Sequence, residues 1–137
     1  VILLDTNVVS ELMKATPDSQ VLDWSNRNTQ DGLCISAITQ AEIALLPDGQ
    51  RRNSLAQAAE TMFTEDFASA ILPFDQGAAT HYAVLVARRM RSGRPISTED
   101  AQIAAIALHH GLHLATRNVR DFEAIEGLAL INPWKPV

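Results

Sequence analysis

An α/β fold with a central parallel sheet of about five strands is what this sequence predicts. Two patterns carry the prediction. Short apolar runs alternate with longer helical stretches, as crossover units require. The runs are also continuous rather than alternating, as in strands covered on both faces. Val1-Ile2-Leu3-Leu4 is the first such run, and Leu33 to Ser36 the second. Ala70 to Phe74 reads as a third strand, with Leu112 to Thr116 and Leu128 to Ile131 completing the set. Gly111 and Gly127 stand just before the last two, where helices commonly stop.

Helical stretches fill the intervals. Asn7 to Met13 is short, and Ser19 to Asn28 sets Val21, Leu22 and Trp24 on one side. Ala37 to about Leu46 follows the second strand, and Gln50 to Phe63 is rich in alanine. Gln76 to Met90 and Thr98 to His110 are the longest, with Ala101, Ala104, Ala105 and Leu108 at helical spacing. Such an alanine face suits close packing on the sheet or self-association.

At 137 residues and 47% apolar composition the chain reads as one domain, residues 1–137, able to bury a core without staples. Its single cysteine, Cys34, lies in an apolar run and reads as a buried, inert thiol, which fits a reducing cytoplasm. No charged-then-apolar leader and no membrane-length apolar stretch are visible. The chain opens at Val1 without an initiator methionine, as a trimmed start would. A net charge of −5 is unfavourable for gripping phosphates. Basic residues gather at Arg88, Arg89, Arg91 and Arg94, with a pair at Arg51 and Arg52. A solvated helix end is the plain reading of the first group, and a phosphate-binding patch the functional one.

Four acids carry the chemistry. In a parallel α/β sheet every strand C-terminus and every helix N-terminus lies on one edge, where such folds place ligands. Asp5 directly follows the first strand, Glu42 lies early in the helix after the second, Asp100 opens the Thr98 helix and Asp121 follows Leu112 to Thr116. Carboxylates crowded there would raise one another's pKa. A divalent cation among them, with magnesium or manganese preferring hard oxygen ligands, makes the arrangement tolerable. Each acid also has an innocent explanation. Thr39 to Glu42 and Ser97 to Asp100 match a capping box, and Asn118 with Asp121 reads similarly. Asp5 resists it, since Thr6 and Asn7 add further polar groups at the end of an apolar strand.

Leu3 to Asn7, Ser36 to Ile43, Glu99 to Ala105 and Ala115 to Phe122 resemble, in order, the four signatures of PIN-domain ribonucleases. The similarity is strongest to the VapC toxins of toxin–antitoxin pairs, including the FitB-like members, and it runs through Asn132-Pro133-Trp134. The resemblance implies a three-layer α/β/α domain and Mg²⁺- or Mn²⁺-dependent cleavage of RNA phosphodiesters. It matches Asp5, Glu42, Asp100 and Asp121 to the acidic quartet, with Thr6, Asn7 and Asn118 as supporting polar groups. It points first to Asp5 and Asp100 as metal ligands, then to Glu42 and Asp121, whose separate roles it leaves open. It further implies a homodimer, a cognate antitoxin that silences the enzyme, and a higher assembly with that antitoxin. In one place the chain departs from the family: a glycine-containing helical turn expected after Ile43 does not appear and Ala44 to Gly49 adjoin directly, as in a shorter member or a sequence from which a short segment is absent.

The competing reading is a catalytically weak PIN-like module that binds RNA or protein. A nucleotide-binding doubly wound protein is disfavoured, because no glycine-rich loop follows the first strand. His109, His110 and His113 suggest zinc, but no neighbouring cysteine or acid in the sequence completes a set, and the helix end itself favours histidine. The isolated His81 reads as a packing or surface residue, and Trp24 and Trp134 as core and C-terminal anchors.

Overall fold

Five short strands form the centre of the molecule, and their residues divide between its two faces. In the computed structural model, residues 1–45 and 71–135 are described. The strands are β1 (Ile2–Leu4), β2 (Leu33–Ser36), β3 (Ile71–Leu72), β4 (His113–Ala115) and β5 (Leu130–Ile131). All pair in parallel, in the order β3-β2-β1-β4-β5. Leu3, Cys34 and Leu114 point to one face, and Ile2, Leu4, Ile35 and Ala115 to the other. Both faces are buried, which is why the strand sequences are continuously apolar.

The first face is covered by α4 (Gln76–Arg91), α5 (Thr98–His110) and α6 (Val119–Phe122), through Ala78, Leu85, Ile103, Ile106 and Phe122. The second is covered by α1 (Thr6–Leu12), α2 (Ser19–Asn28) and α3 (Ala37–Ala44), through Val8, Val9, Val21, Trp24 and Ile43. The alanines of α5 are fully buried in the first core, so they serve packing on the sheet. Leu22 departs from expectation: Val21 and Trp24 face inward three residues apart, while Leu22 is exposed.

The expected third strand is trimmed at Leu72, because Pro73 has no N–H to give the ladder. Gly111 ends α5 in the left-handed conformation at φ 65°, which lets the chain turn into β4. Cys34 is buried and its thiol donates to the Ile2 carbonyl. Burial pushes that thiol up to about 11, so it is inert at neutral pH. The helix expected over Gln50 to Phe63 and the pair Arg51 and Arg52 lie outside the described residues. Among the described residues no helix is long and apolar enough to cross a membrane.

The strand order fixes where a ligand site belongs. From β1 the chain winds outward through β2 to β3, then returns to the far side of β1 for β4 and β5. The reversal falls between β1 and β4, the switch point at which open α/β sheets leave a crevice. Asp5 sits at that point.

Candidate active site: a carboxylate cluster at the sheet edge

Register explains how the site is assembled. Leu4 pairs with Ile35 on one side and Ala115 on the other. The next residues along the three strands are therefore Asp5, Ser36 and Thr116, a polar row one step beyond an apolar sheet. All three are buried. Asp5 also caps α1, its Oδ1 accepting from the Thr6 amide at 2.8 Å. Its Oδ2 accepts from the Thr116 hydroxyl at 2.7 Å and from Asn7 Nδ2 at 3.4 Å. The side chain is thus held from both ends.

Glu42 reaches the same place from α3. Its Oε1 accepts from the Thr6 hydroxyl at 2.7 Å, and that hydroxyl lies 3.0 Å from Thr39 Oγ1. The expected capping box over Thr39 to Glu42 does not form. Ser36 caps α3 instead, its Oγ accepting from the Thr39 amide at 3.0 Å, so Glu42 lies beyond the first turn. Asp100 opens α5 behind Ser97, whose hydroxyl accepts from the Asp100 amide at 3.1 Å. Asp121 lies on the short α6 and is exposed.

Electrostatics tie the four together. Burial pushes Asp5 up to about 6; the Thr116 hydroxyl and Thr6 amide oppose the rise, and Asp100 and Glu42 add to it. Burial also raises Asp100, with the Ser97 hydroxyl opposing and Asp121, Glu42 and Glu99 reinforcing. Among the described residues no lysine or arginine forms an ion pair with any of the four. These carboxylates offer the hard oxygen donors a divalent cation prefers, although no three of them bring oxygens within 4.8 Å of one another as they stand.

The supporting groups divide. Thr6 and Asn7 do contact the acids, and Asn7 also accepts from the Arg117 amide at 3.2 Å. Asn118 contributes through its backbone, which donates to Thr116 Oγ1 at 3.1 Å, while its side chain makes no cap. The sequence gives no sign that Thr116 and Ser36 belong to the site. Their signal is registral: Ser36 ends β2 and Thr116 follows β4, each beside Asp5, which only the pairing reveals.

A second polar group lies elsewhere. Asp75, at the start of α4, approaches His109 near the end of α5, with Oδ1 3.7 Å from Nε2. Asp75, His109 and His110 could each offer an atom within 4.8 Å of the others. An acid therefore does stand beside two of the histidines, contrary to the sequence reading, while His113 lies apart in β4. His81 is not isolated either, its ring centroid standing 6.0 Å from that of His109. The positive pole of α4 beside this exposed group disfavours a cation. His109 is used for packing, since its imidazole occupies the space a Cβ on Gly77 would need. Trp24 is a core residue and Trp134 packs on the same core, with the Arg117 guanidinium 5.0 Å over its ring.

The family model for the PIN domain matches residues 2–128. The chain is 45% identical over 139 residues to a VapC ribonuclease of Sinorhizobium fredii, taking in 98% of this chain and 99% of the relative. It is 39% identical over 137 residues to the toxin FitB of Neisseria gonorrhoeae, with 97% and 98% covered. The crystal structure of FitAcB from the same organism superposes with a TM-score of 0.86 at 38% identity, covering 98% of this chain and 99% of that one. The chain belongs to the PIN-domain family, on the branch that holds the VapC ribonucleases and FitB.

Proposed function

We propose that this protein is a metal-dependent endoribonuclease and the toxin of a toxin–antitoxin pair. The observation that carries the reading is the buried, uncompensated Asp5 with Glu42 and Asp100 in its field and Asp121 acting in turn on Asp100. A relative at 45% identity is a VapC ribonuclease, and one at 39% is a toxin. The first supports RNA hydrolysis as the chemistry, and the second supports the role of toxin.

Asp5, Glu42, Asp100 and Asp121 would hold one or two Mg²⁺ or Mn²⁺ ions. When bound, such an ion lowers the pKa of a water and offsets charge growing on the attacked phosphate. The residues do the remaining work. The Thr6 amide, Thr116 hydroxyl and Asn7 amide fix the Asp5 carboxylate, so little reorganisation is needed when the substrate arrives. The Thr6 hydroxyl orients Glu42 in the same way. Glu42 or the exposed Asp121 would orient the attacking water or complete the shell of a second ion. In-line attack leaves a 5′-phosphate and a 3′-hydroxyl.

A homodimer, a cytoplasmic setting and a cognate antitoxin belong to the same proposal. The cluster's uncompensated negative charge suits an antitoxin that presents an arginine to it. The deciding experiment is to incubate purified protein with RNA and Mg²⁺, sequence the new ends and repeat with Asp100→Ala. Sharp 5′-phosphate ends that vanish in the variant and in excess chelator are expected. Equal cleavage under either condition removes the reading, and a wild type that binds RNA without cutting it favours the binding-module alternative.

A further inference from the structure

Among the four arginines that the sequence gathers near the end of α4, Arg89 is neither solvated nor free for phosphate. It is buried at 7% exposure. Its guanidinium makes no carboxylate pair among the described residues and donates to three backbone carbonyls: Nε to Arg94 at 2.8 Å, one terminal nitrogen to Glu123 at 2.8 Å and the other to Asp121 at 2.9 Å. Three nitrogens thus bind three carbonyls on two separate segments. One segment is the loop that runs from α4 to Ser97, the cap of Asp100's helix. The other is α6 and its exit, which carry Asp121.

Both segments need such a tether. A four-residue helix has carbonyls at its end with no partner inside the helix, and Asp121 and Glu123 supply two of these. Directly after them Ala124 adopts φ 65°, a left-handed conformation costly for any residue with a Cβ. Backbone strain of this kind persists only where the surroundings hold it. Only arginine offers a rigid planar fork that reaches three acceptors; a lysine ammonium is a single compact point.

We propose that Arg89 is a positioning residue for the acid cluster, setting the place of Asp121 relative to Asp100 by joining α6 to the loop before α5. It acts through the backbone and touches neither substrate nor cation. The effect on rate rests on the nuclease reading above; the effect on α6 does not.

Arg89→Lys tests it, with Val21→Ala, a core truncation on the opposite face of the sheet, as a control of matched stability. Amide exchange is read at Asp121, whose N–H donates to the Asn118 carbonyl at 3.0 Å. In the wild type that amide is expected to exchange at least a hundredfold slower than an open chain. In Arg89→Lys its exchange should rise tenfold or more while β1 and β4 stay protected. Mn²⁺ affinity by calorimetry should fall about fivefold, and kcat about tenfold with KM within twofold. Val21→Ala should leave all of these near wild type. The proposal is overturned if the wild-type Asp121 amide already exchanges freely, a result that requires no variant to fold. It is equally overturned if Arg89→Lys matches Val21→Ala in exchange and Mn²⁺ affinity. A wild type that cleaves no RNA removes the nuclease reading, while exchange and Mn²⁺ binding still decide the role of Arg89.

Discussion

Asp5 and Asp75 each cap a helix, and each accepts a backbone amide close by, from Thr6 at 2.8 Å and from Ala78 at 3.0 Å. Their acidities nevertheless move in opposite directions. Burial pushes Asp5 up to about 6. The Ala78 amide, helped by His109 and His110, holds the exposed Asp75 below the usual carboxylate range. The capping role is common to both; surroundings make the difference. Asp5 is desolvated beside other acids, whereas Asp75 stands in water beside two imidazoles. A carboxylate that caps a helix is thus no sign of function until its neighbours are known.

The largest break in the comparison should come from Asp5→Asn. If Asp5 holds the proposed cation, losing its carboxylate removes several kcal/mol of stabilisation of the reacting phosphate. RNA cleavage with Mg²⁺ should fall on the order of a thousandfold. The same change should make the metal-free protein sturdier near neutral pH. Because the folded pKa of Asp5 lies above its unfolded value, its contribution to stability is fully present below about pH 4 and is lost as pH rises through about 6. Urea titrations in chelator should show stability falling across that window by on the order of 3 kcal/mol, and Asp5→Asn should flatten the fall. Mn²⁺ should restore the lost stability in the wild type only. A pH-independent wild type would mean that Asp5 is not strained by its setting.

Thr116→Val should give a smaller change in the same direction. The isosteric valine keeps the packing and removes the hydroxyl that donates to Asp5 Oδ2 at 2.7 Å. Partners of metal ligands are typically worth 10–100-fold in affinity, so Mn²⁺ binding by calorimetry should weaken about tenfold. The Asp5 carboxyl should titrate higher still, since that hydroxyl opposes the effect of burial. Unchanged Mn²⁺ affinity would show that Thr6 and Asn7 suffice to orient Asp5.

Much of this was legible in the chain, for reasons that vary with the residue. The five apolar runs announced the sheet because strands buried on both faces cannot alternate, and parallel pairing then sends Asp5, Asp100 and Asp121 to one edge. The capping box at Thr39 fails because Ser36, the last residue of β2, competes for the same role and wins by register. Arg89 read as one of a solvated group because charge and spacing alone cannot show that three carbonyls wait behind α4. Asp75 and His109 lie 34 positions apart on two helices, so their meeting depends on how those helices cross. What stayed hidden in every case was a partner brought in by tertiary packing.

Asp75→Ala removes the cap of α4, which should destabilise the fold slightly and lower the melting midpoint by a few degrees. The His109 ring loses its acidic neighbour but keeps its seat on Gly77, so α4 and α5 should stay packed. His109 stands nine residues from Asp100, roughly 13 Å along the axis of α5. RNA cleavage and Mn²⁺ affinity should therefore remain within twofold of wild type, measured well below the melting range. A large loss of either would mean that the two ends of α5 are coupled, and that Asp75 is more than a helix cap.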